Sequence, residues 1–392
     1  MDKKVVSLFS GIGGLDKGFS ERGYETTLFC EASVAARSVL SKHFPDAQIE
    51  LDIKNMNKLP VADIVTAGFP CQDLSQAGRK AGIGGGESGL VSNLFRLLDA
   101  SGPARPKTIV VENVPYMLRL NKGEALLALI KAFEELGYSW AYRTVDARAF
   151  GVPQRRPRVV MLASKTIDPK SVLFSGDEEP YADPRPSDVN LDAWYGFYWT
   201  EGSRGVGWTH EGVPPIKGGS GLGIPSAPAI WIPKLDFVGT PTIEDAERLQ
   251  GFPAGWTSPA VSSQSQRKNI RWSLIGNAVV PHVSDWLAER IDNAEPLQIE
   301  AEEIFSPPLP AAAYGGSGKF YKVRCGPFPV RNRHPKLRHY LRSDLKPLSP
   351  KATTGFLRRT AVCTNVNYAP KFIQSLRRHI DLYPLRYAAY AA

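Results

Sequence analysis

The sequence predicts an α/β fold, in which a mostly parallel sheet carries helices on both faces and is joined to a small irregular domain. Short apolar runs alternate with helix-compatible stretches over residues 1–165, as in a parallel sheet covered by helices. The first run ends at a glycine-rich turn, which is typical of nucleotide-binding sheets. Residues 166–241 lose this alternation and are rich in Gly, Pro and aromatic residues, so we expect irregular structure there.

Seven strands are predicted in the regular region, because each is a short, mostly apolar run bounded by turn or helix signals. They cover residues 5–9, 26–31, 49–53, 63–69, 108–114, 140–150 and 157–164. Residues 15–22 and 123–136 are two of the helix-compatible segments between them. Ligands bind at the carboxyl ends of the strands in such sheets, so the residues that end each strand are the first candidates for a site.

Regular structure returns after the irregular region. Thr242 precedes a helix-compatible segment and can cap its first turn. Gly251 and Pro253 mark the end of that helix. Further on, a stretch rich in Pro and Ala over residues 306–313 predicts a linker.

Composition excludes a disordered chain and a membrane-spanning one. Of the 392 residues, 43% are hydrophobic and 22% are charged, which is typical of globular proteins with two or three compact units. No stretch reaches the roughly 18–20 apolar residues of a membrane helix, and no secretory signal is recognisable, so we expect a soluble, cytoplasmic protein. The four cysteines are too far apart to form a metal clamp, and we expect free thiols and no metal.

The net charge of +9 is concentrated in the C-terminal part of the chain. Residues 311–392 contain 16 Lys and Arg against 2 Asp and Glu, whereas the rest contains 32 against 37. Such a polarity favours contact with a polyanion. The same region contains an amphipathic helix, since Phe372, Leu376 and Ile380 recur at a spacing of four with Ile373 beside them.

The first three strands end in residues suited to an adenosyl cofactor. The turn from Phe9 to Gly14 allows backbone amides to approach a ligand. Glu31 ends the second strand, about 20 residues on, where an acidic side chain typically binds ribose hydroxyls. Asp52 ends the third strand and can accept from an adenine amino group. No Gly-Lys-Ser or Gly-Lys-Thr follows the turn, which favours a cofactor without phosphates.

The fourth and fifth strands end in a thiol and a carboxyl group. Cys71 follows the fourth strand and Glu112 ends the fifth, so both are expected at the sheet edge beside the cofactor. A cysteine next to a carboxyl group suits nucleophilic attack coupled to proton transfer. Cys30 lies in an apolar strand instead, and we expect it to be a buried structural residue.

Six short motifs follow one another in a fixed order along the chain. They are Phe9-Ser10-Gly11-Ile12-Gly13-Gly14, Pro70-Cys71-Gln72, Glu112-Asn113-Val114, Gln154-Arg155-Arg156-Pro157-Arg158, Arg248-Leu249-Gln250-Gly251-Phe252-Pro253 and Gly276-Asn277-Ala278-Val279-Val280-Pro281. The series resembles that of the cytosine-C5-specific DNA methyltransferases of the bacterial and phage type, over about residues 1–165 and 242–292. The resemblance implies a Rossmann-like S-adenosylmethionine-dependent methyltransferase fold with a mostly parallel seven-stranded sheet.

The resemblance also implies roles for individual residues. S-adenosylmethionine, and its product S-adenosylhomocysteine, would be bound by Phe9, Gly11, Gly13, Glu31, Asp52, Ile53, Pro70, Asn277 and Val279. The catalytic residues would be Cys71, Glu112, Arg156 and Arg158, and the substrate contacts would be Gln72, Ser75, Asn113 and Gln154. Cys71 would add to C6 of a cytosine that is flipped out of the duplex, Glu112 would act at N3, and Arg158 would hold the base.

The same resemblance divides the chain by function. Residues 1–165 and 242–295 would form the catalytic domain, residues 166–241 the target-recognition domain, and residues 296–392 a basic extension. The recognition domain would read base edges in the major groove. Its candidate DNA contacts are Arg204, His210, Lys217 and Ser220. Its four tryptophans are expected to form its core.

Two further segments are expected to approach the DNA. Residues 72–91 are rich in glycine, and the resemblance implies a loop that closes over the substrate, with Arg79 and Lys80 within reach of phosphates. For the basic extension two hypotheses stay open: it contacts DNA through clusters at 331–342 and 357–359, or it caps the catalytic domain. A truncation at Pro307 combined with salt-dependent DNA binding would distinguish them.

We expect double-stranded DNA as the partner, a monomer, and a separately encoded cognate restriction endonuclease. One alternative is an RNA cytosine-C5 methyltransferase of the branch that modifies tRNA, which carries a Cys-Phe-Thr motif in its target region. Residues 166–241 contain no cysteine. The other alternative is a DNA-binding regulator with a decayed active site, but the Cys, Glu and Arg positions are all intact.

Overall fold

The structure, a computed structural model, describes most of the chain. The described residues are 3–69, 89–201, 205–218, 227–261, 269–304, 308–363 and 366–387. They divide into two compact units. The first unit consists of Met1–Phe150, Pro157–Pro180 and Ala278–Arg331, and the second of Gly151–Arg156, Tyr181–Asn277 and Asn332–Ala392.

Strands and helices are numbered in chain order. The strands are β1 Lys4–Leu8, β2 Glu25–Cys30, β3 Gln48–Glu50, β4 Ile64–Ala67, β5 Thr108–Asn113, β6 Ser139–Asp146, β7 Pro157–Ser164, β8 Tyr195–Phe197, β9 Thr209–His210, β10 Ala229–Ile232, β11 Phe237–Thr240, β12 Ala301–Glu303, β13 Ala312–Gly316, β14 Lys319–Val323 and β15 Lys346–Pro347. The helices are α1 Gly14–Glu21, α2 Val34–His43, α3 Leu90–Ala100, α4 Glu124–Glu135, α5 Pro169–Phe174, α6 Ile243–Leu249, α7 Ile270–Asn277, α8 Pro281–Asp292, α9 Leu337–Tyr340, α10 Pro350–Ala361 and α11 Pro370–Arg386. No helix in the described ranges is both long enough and apolar enough to cross a membrane.

The first unit is built on the predicted seven-stranded sheet. Its order is β6-β7-β5-β4-β1-β2-β3, and the five strands from β5 to β3 run parallel. β7 runs antiparallel between β5 and β6. All six residues of β5 are buried, as expected of a strand covered on both faces. The prediction of a mostly parallel sheet is therefore confirmed.

Three more strands extend this sheet beyond β6. β13 pairs with β6, and β14 and β12 follow it, all antiparallel. The predicted linker over residues 306–313 is therefore wrong at its C-terminal end, because Ala312 and Ala313 are buried in β13. The Pro- and Ala-rich sequence has no strand pattern of its own. β6 supplies the pairing, since it would otherwise present an open sheet edge.

The segment after Asn277 returns to the beginning of the chain. Helix α8 packs closely on α1: a Cβ atom added at Gly18 would lie 2.2 Å from Ser284 Oγ. Ser284 Oγ donates to the carbonyl oxygen of Gly14 at 3.0 Å. The segment from Ala278 onward thus folds back against the beginning of the chain.

A buried arginine fixes the C-terminal segment of the first unit. The Arg143 side chain has no solvent exposure. Its guanidinium donates to the carbonyl oxygens of Leu173, Gly176 and Gly326 and forms a 2.6 Å ion pair with Asp177. Because the charge is fully compensated, burial is tolerated. No motif in the sequence marks this residue.

The second unit contains a five-stranded antiparallel sheet in the order β15-β11-β10-β8-β9. Its core includes Trp208 and Trp231 from the recognition segment, so the expected role of these two tryptophans is confirmed. Phe356 of α10 and Phe372 of α11 are fully buried in the same core. The predicted amphipathic helix is confirmed as α11.

The basic extension therefore belongs to both units. Residues up to Arg331 belong to the first unit, where β12–β14 join its sheet, and residues from Asn332 share a core with the recognition segment. A cap on the catalytic domain alone, one of the two hypotheses, does not describe this arrangement.

Candidate active site

The glycine turn after β1 leaves room for a ligand. Gly11 and Gly13 have φ of 57° and 79°, the left-handed region that favours glycine. Among the described residues other than its two chain neighbours, none has an atom within 4 Å of the position that a Cβ of Gly11 would occupy. Phe9, which is not a glycine, also has a positive φ of 56°. Such strain costs about 1–3 kcal/mol and is concentrated at functional sites.

Glu31 lies directly against this turn. Its Oε2 accepts from the Gly11 N–H at 2.8 Å and its Oε1 from the Ser33 N–H at 2.7 Å. Burial raises the pKa of this carboxyl group, although the backbone hydrogen bonds oppose the shift. A carboxylate has about four lone-pair sites, so it can still accept from the two hydroxyls of a ribose. The geometry fits the predicted role.

Asp52 and Ile53 follow β3 at the same edge of the sheet. Asp52 caps the 3-10 helix Ile53–Asn55, with Oδ1 accepting from the Lys54 N–H at 2.9 Å. Ile53 is 2% exposed. Arg96 holds this loop in place by donating to the carbonyl oxygens of Ile53 and Met56. Arg96 has no motif around it, and the sequence analysis did not identify it.

Val279 also lies beside the turn. Its carbonyl oxygen is 2.3 Å from the position that a Cβ of Gly14 would take, so only glycine permits this approach. Phe9 and Phe69 form an edge-to-face pair at 6.1 Å. An open glycine turn, a held carboxylate and an aromatic side chain form a site that suits an adenosyl group. Asn277 belongs to the second unit, where it is exposed at the end of α7.

Glu112 and Arg158 form an ion pair at the ends of adjacent strands. Arg158 Nε lies 3.0 Å from Glu112 Oε1, and both side chains are mostly buried. In the antiparallel pairing of β5 and β7, Glu112 lies opposite Val160. Side chains two residues apart on a strand share a face, so Arg158 and Glu112 lie on the same side of the sheet. A carboxyl group held by a guanidinium in this way can act on a ring nitrogen of a bound base.

Asn113 connects this pair to the segment that precedes Cys71. Its Nδ2 donates to the carbonyl oxygen of Phe69 at 3.0 Å, and its Oδ1 accepts from the Val114 N–H at 2.9 Å. The side chain is buried, and these contacts use its oxygen and one of its amide hydrogens. The structure thus shows Asn113 holding the backbone two residues before Cys71, and its predicted substrate contact stays a prediction.

Comparisons with known proteins agree with this geometry. The model of the family described as C-5 cytosine-specific DNA methylase matches residues 3–189. The chain is 52% identical over 382 residues to the Type II methyltransferase M2.BsuMI of Bacillus subtilis strain 168, covering 96% of this chain and 98% of that protein. The chain belongs to the C-5 cytosine-specific DNA methylase family. It is therefore an enzyme that transfers a methyl group from S-adenosylmethionine to C5 of cytosine in DNA.

More distant relatives match the methylase over part of its length. The Type II methyltransferase M.NgoFVII of Neisseria gonorrhoeae is 37% identical over 163 residues, which cover 41% of this chain and 43% of that protein. The solved structure of the Dnmt2 methyltransferase of S. pombe has a TM-score of 0.53 at 17% identity and covers 74% of this chain and 98% of that one. The last similarity concerns the fold alone.

Several predicted site residues of the methylase lie outside the described residues. They are Pro70, Cys71, Gln72 and Ser75 near the nucleophile, Arg79 and Lys80 in the glycine-rich segment, and Arg204 and Ser220 in the recognition segment. Among the described cysteines, burial raises the pKa of Cys30 to about 12, with further contributions from Glu31, Asp52 and Glu50. Burial also raises the pKa of Cys325. Neither thiol is therefore suited to form a nucleophilic thiolate.

Gln154 and Arg156 have structural contacts in the second unit. Gln154 is fully buried: Nε2 donates to the Leu249 carbonyl at 2.7 Å and to Gln250 Oε1 at 2.9 Å, and its Oε1 accepts from the Ile216 N–H. The side chain has no solvent exposure in this arrangement, and its predicted substrate contact stays a prediction. Arg156 is 2% exposed and donates to the Gly276 carbonyl at 3.0 Å. These contacts differ from the catalytic role predicted for Arg156.

Two recognition candidates lie in the described part of the chain. His210 ends β9, where its ring lies 5.5 Å from that of Tyr195. Lys217 forms an ion pair with Glu201, and its ammonium group lies 3.8 Å from the centre of the Tyr198 ring. Part of the charge of Lys217 is thus already compensated before DNA is bound.

Proposed function

We propose that Cys71, Glu112 and Arg158 carry out methyl transfer to a cytosine flipped out of double-stranded DNA. The observation that supports this most directly is the buried Glu112–Arg158 ion pair on one face of the sheet. Asn113 adds to it, because this neighbour of Glu112 is bonded to Phe69, two residues before Cys71. Asn113 thus joins the strand that carries Glu112 to the segment that leads to Cys71, which supports the proposal.

The residue types match the steps of the reaction. The sulfur of Cys71 adds to C6 of the cytosine ring, which makes C5 nucleophilic, while Glu112 donates a hydrogen bond or a proton to N3 and takes up the developing charge. Arg158 fixes the Glu112 carboxyl group. After C5 has gained the methyl group, its proton leaves to a base, the C6–S bond breaks and the thiol is restored.

The cofactor site proposed in the first unit is the glycine turn with its neighbours. S-adenosylmethionine, when bound, supplies an electrophilic methyl group on a sulfonium centre. Glu31 would bind the ribose hydroxyls and Asp52 the adenine amino group, with Phe9, Ile53 and Val279 around them. Pro70 and Asn277 remain proposed contacts of the same site, and Gln72 and Ser75 remain proposed DNA contacts.

The wider setting is also a proposal. We propose that the enzyme acts as a monomer in the cytoplasm and protects DNA from a separately encoded cognate endonuclease. The Type II methyltransferase name of the 52% identical relative supports this setting. In the described ranges, no three His, Cys, Asp or Glu side chains come together as metal ligands. The steps proposed above do not use a metal ion.

Expression of the chain in a host that lacks cytosine methylation, followed by bisulfite sequencing of a plasmid, tests the proposal. We expect methylated cytosines at one recurring sequence from the parent and none from Cys71→Ala. A matched assay follows labelled methyl incorporation into DNA and into tRNA. Equal labelling of DNA by the parent and Cys71→Ala would refute the mechanism, and labelling confined to tRNA would favour the RNA alternative. No labelling of either would favour a regulator.

A further inference from the structure

A basic segment of the second unit belongs to none of the six sequence motifs. Residues 332–342, called the basic segment here, contain Arg333, Lys336, Arg338 and Arg342 and no Asp or Glu. All four side chains are exposed. None of the ion pairs among the described residues involves any of them. Four like charges within eleven residues repel one another, which favours an anionic partner.

The backbone of this segment is held firmly although its side chains are exposed. Asp245, a fully buried carboxylate on α6, accepts from the Arg342 N–H and the Ser343 N–H, both at 2.9 Å. Glu211 Oε2 accepts from the Leu337 N–H at 2.7 Å. Two acidic groups nearby are thus bonded to backbone amides and form no ion pair with the four cationic side chains. Asp192 attracts Lys336 and Arg338 at longer range, and its own ion pair is with Lys234.

The segment lies beside the parts of the second unit that are predicted to meet DNA. Glu211 follows His210, a candidate base contact. The Cβ of Asn332 lies 3.5 Å from the position that a Cβ of Gly151 would take, at the start of the loop that leads to Arg156. Tyr340 Oη donates to the Arg248 carbonyl at 2.9 Å, on the helix of the Arg-Leu-Gln-Gly-Phe-Pro motif.

The other basic cluster of the extension is different. Arg359 donates through Nε to the Glu201 carbonyl at 3.1 Å and through Nη2 to the Trp199 carbonyl at 2.7 Å. Its guanidinium therefore stabilises the recognition segment. The two clusters look alike in sequence, but their contacts differ. Arg359 is bonded to the backbone of the recognition segment, whereas the cations of the basic segment form no ion pair among the described residues.

We propose that the basic segment is a phosphate-binding surface that contacts the DNA backbone next to the bases read by the recognition segment. The proposal rests on double-stranded DNA being the substrate, but not on the chemistry assigned to Cys71. Phosphate contacts supply affinity and register without sequence information. Such a surface would add binding energy towards flipping the base, which costs a few kcal/mol.

The test removes two of these charges and measures DNA affinity against salt. The variant Lys336→Ala/Arg338→Ala and the parent bind a fluorescent mixed-sequence duplex between about 50 and 200 mM NaCl, without cofactor. Each lost phosphate contact lowers the slope of log K against log salt by about 0.9, so we expect the slope to become shallower by about 2. Affinity at the lowest salt should fall on the order of 10-fold or more.

The matched control is Lys351→Ala/Arg377→Ala, which removes the same charge from exposed positions on α10 and α11. We expect its slope to equal that of the parent. If both double variants match the parent, the proposal is overturned; if both fall equally, only net charge matters and it is overturned as well. Should the alanine variant melt early, Lys336→Gln/Arg338→Gln replaces it. Because no methyl transfer is measured, a failure of the catalytic proposal would leave this result unchanged.

Discussion

At the residue scale, Glu112 and Arg158 can be tested by separate substitutions. Glu112→Gln keeps the size of the side chain but removes the proton that can move to N3, so we expect kcat to fall about 10²–10⁴-fold. Arg158→Lys keeps the charge but not the planar donor set, so we expect a smaller loss. DNA binding measured by anisotropy should persist in both. Parent-like kcat in Glu112→Gln would show that the carboxyl group takes no part.

Two glycines offer a matched test of the cofactor site. Gly11 and Gly23 both have positive φ, of 57° and 79°, and in the described part of the chain no residue beyond their immediate neighbours comes within 4 Å of either Cβ position. Alanine at either position should destabilise the fold by about 1–2 kcal/mol, the cost of left-handed backbone. Only Gly11 lies against Glu31. We expect calorimetry to show weaker S-adenosylmethionine binding for Gly11→Ala and parent-like binding for Gly23→Ala; equal affinities would place the cofactor elsewhere.

At the scale of elements, Asp236 fixes helix α11. Its Oδ1 accepts from Lys371 Nζ at 2.7 Å and Ser375 Oγ at 2.6 Å, and its Oδ2 from Arg378 at 3.0 Å. Burial raises the pKa of Asp236, but these hydrogen bonds and charges outweigh burial, and the pKa is lowered overall. The charged carboxylate therefore stabilises the second unit above the unfolded-state pKa, and this contribution is lost as pH falls through the lower folded-state pKa.

The prediction concerns Asp236→Asn, because asparagine tolerates the φ of 47° at this position. We expect a loss of about 1–3 kcal/mol at pH 7, from weaker hydrogen bonds to charged groups. Denaturant unfolding at pH 7 and at pH 3 measures it. The difference between variant and parent should shrink at the lower pH, and a difference that does not change with pH would show that charge is not the cause.

At the scale of the whole molecule, stability should depend on pH through Asp16. This residue is fully buried, and burial raises the pKa of its carboxyl group to about 6, although Ser7 and Thr26 donate to it. The folded state binds its proton more tightly than the unfolded state. Its contribution is therefore fully present below about pH 4, the unfolded pKa, and is lost as pH rises through about 6.

Asp16→Asn isolates this effect. Between pH 4 and pH 7 the parent should lose roughly 3 kcal/mol of unfolding free energy that the variant keeps. The reason is that the pKa of Asp16 is about 6 in the folded state, whereas it is about 4 in the unfolded state. Parallel curves for variant and parent would contradict the raised pKa. Ser20→Ala, on the same helix and exposed, serves as the control and should leave the pH dependence unchanged.

The basic extension also acts at this scale. Truncation at Pro307 would remove β13 from the edge of β6 and Phe356 and Phe372 from the core of the second unit. Burying one large apolar side chain contributes about 1.5–3 kcal/mol, so we expect no cooperative unfolding transition in the truncated chain by circular dichroism. That truncation therefore cannot separate DNA contact from packing. A truncated chain that melts cooperatively like the parent would show the extension to be dispensable.

Local patterns in the sequence were enough to predict the seven-stranded sheet, the Thr242 cap and the amphipathic helix α11. Each depends on neighbours within a few residues, where periodicity and capping act. The end of the Pro- and Ala-rich stretch escaped prediction for the opposite reason. Ala312 and Ala313 have little strand preference of their own, and they form β13 only because β6 offers a partner.

The sequence by itself determined the family and the residue types of its chemistry, because the six short motifs and their order can be read from the chain without its fold. Only the tertiary structure decided which motif residues lie at strand ends and which are enclosed by distant parts of the chain. Glu31 follows β2 and lies against the open glycine turn, and Glu112 lies near the end of β5, where Arg158 holds it. Gln154, in contrast, is enclosed by its contacts with Leu249, Gln250 and Ile216. Burial and hydrogen-bond partners come from distant parts of the chain, and no local pattern encodes them.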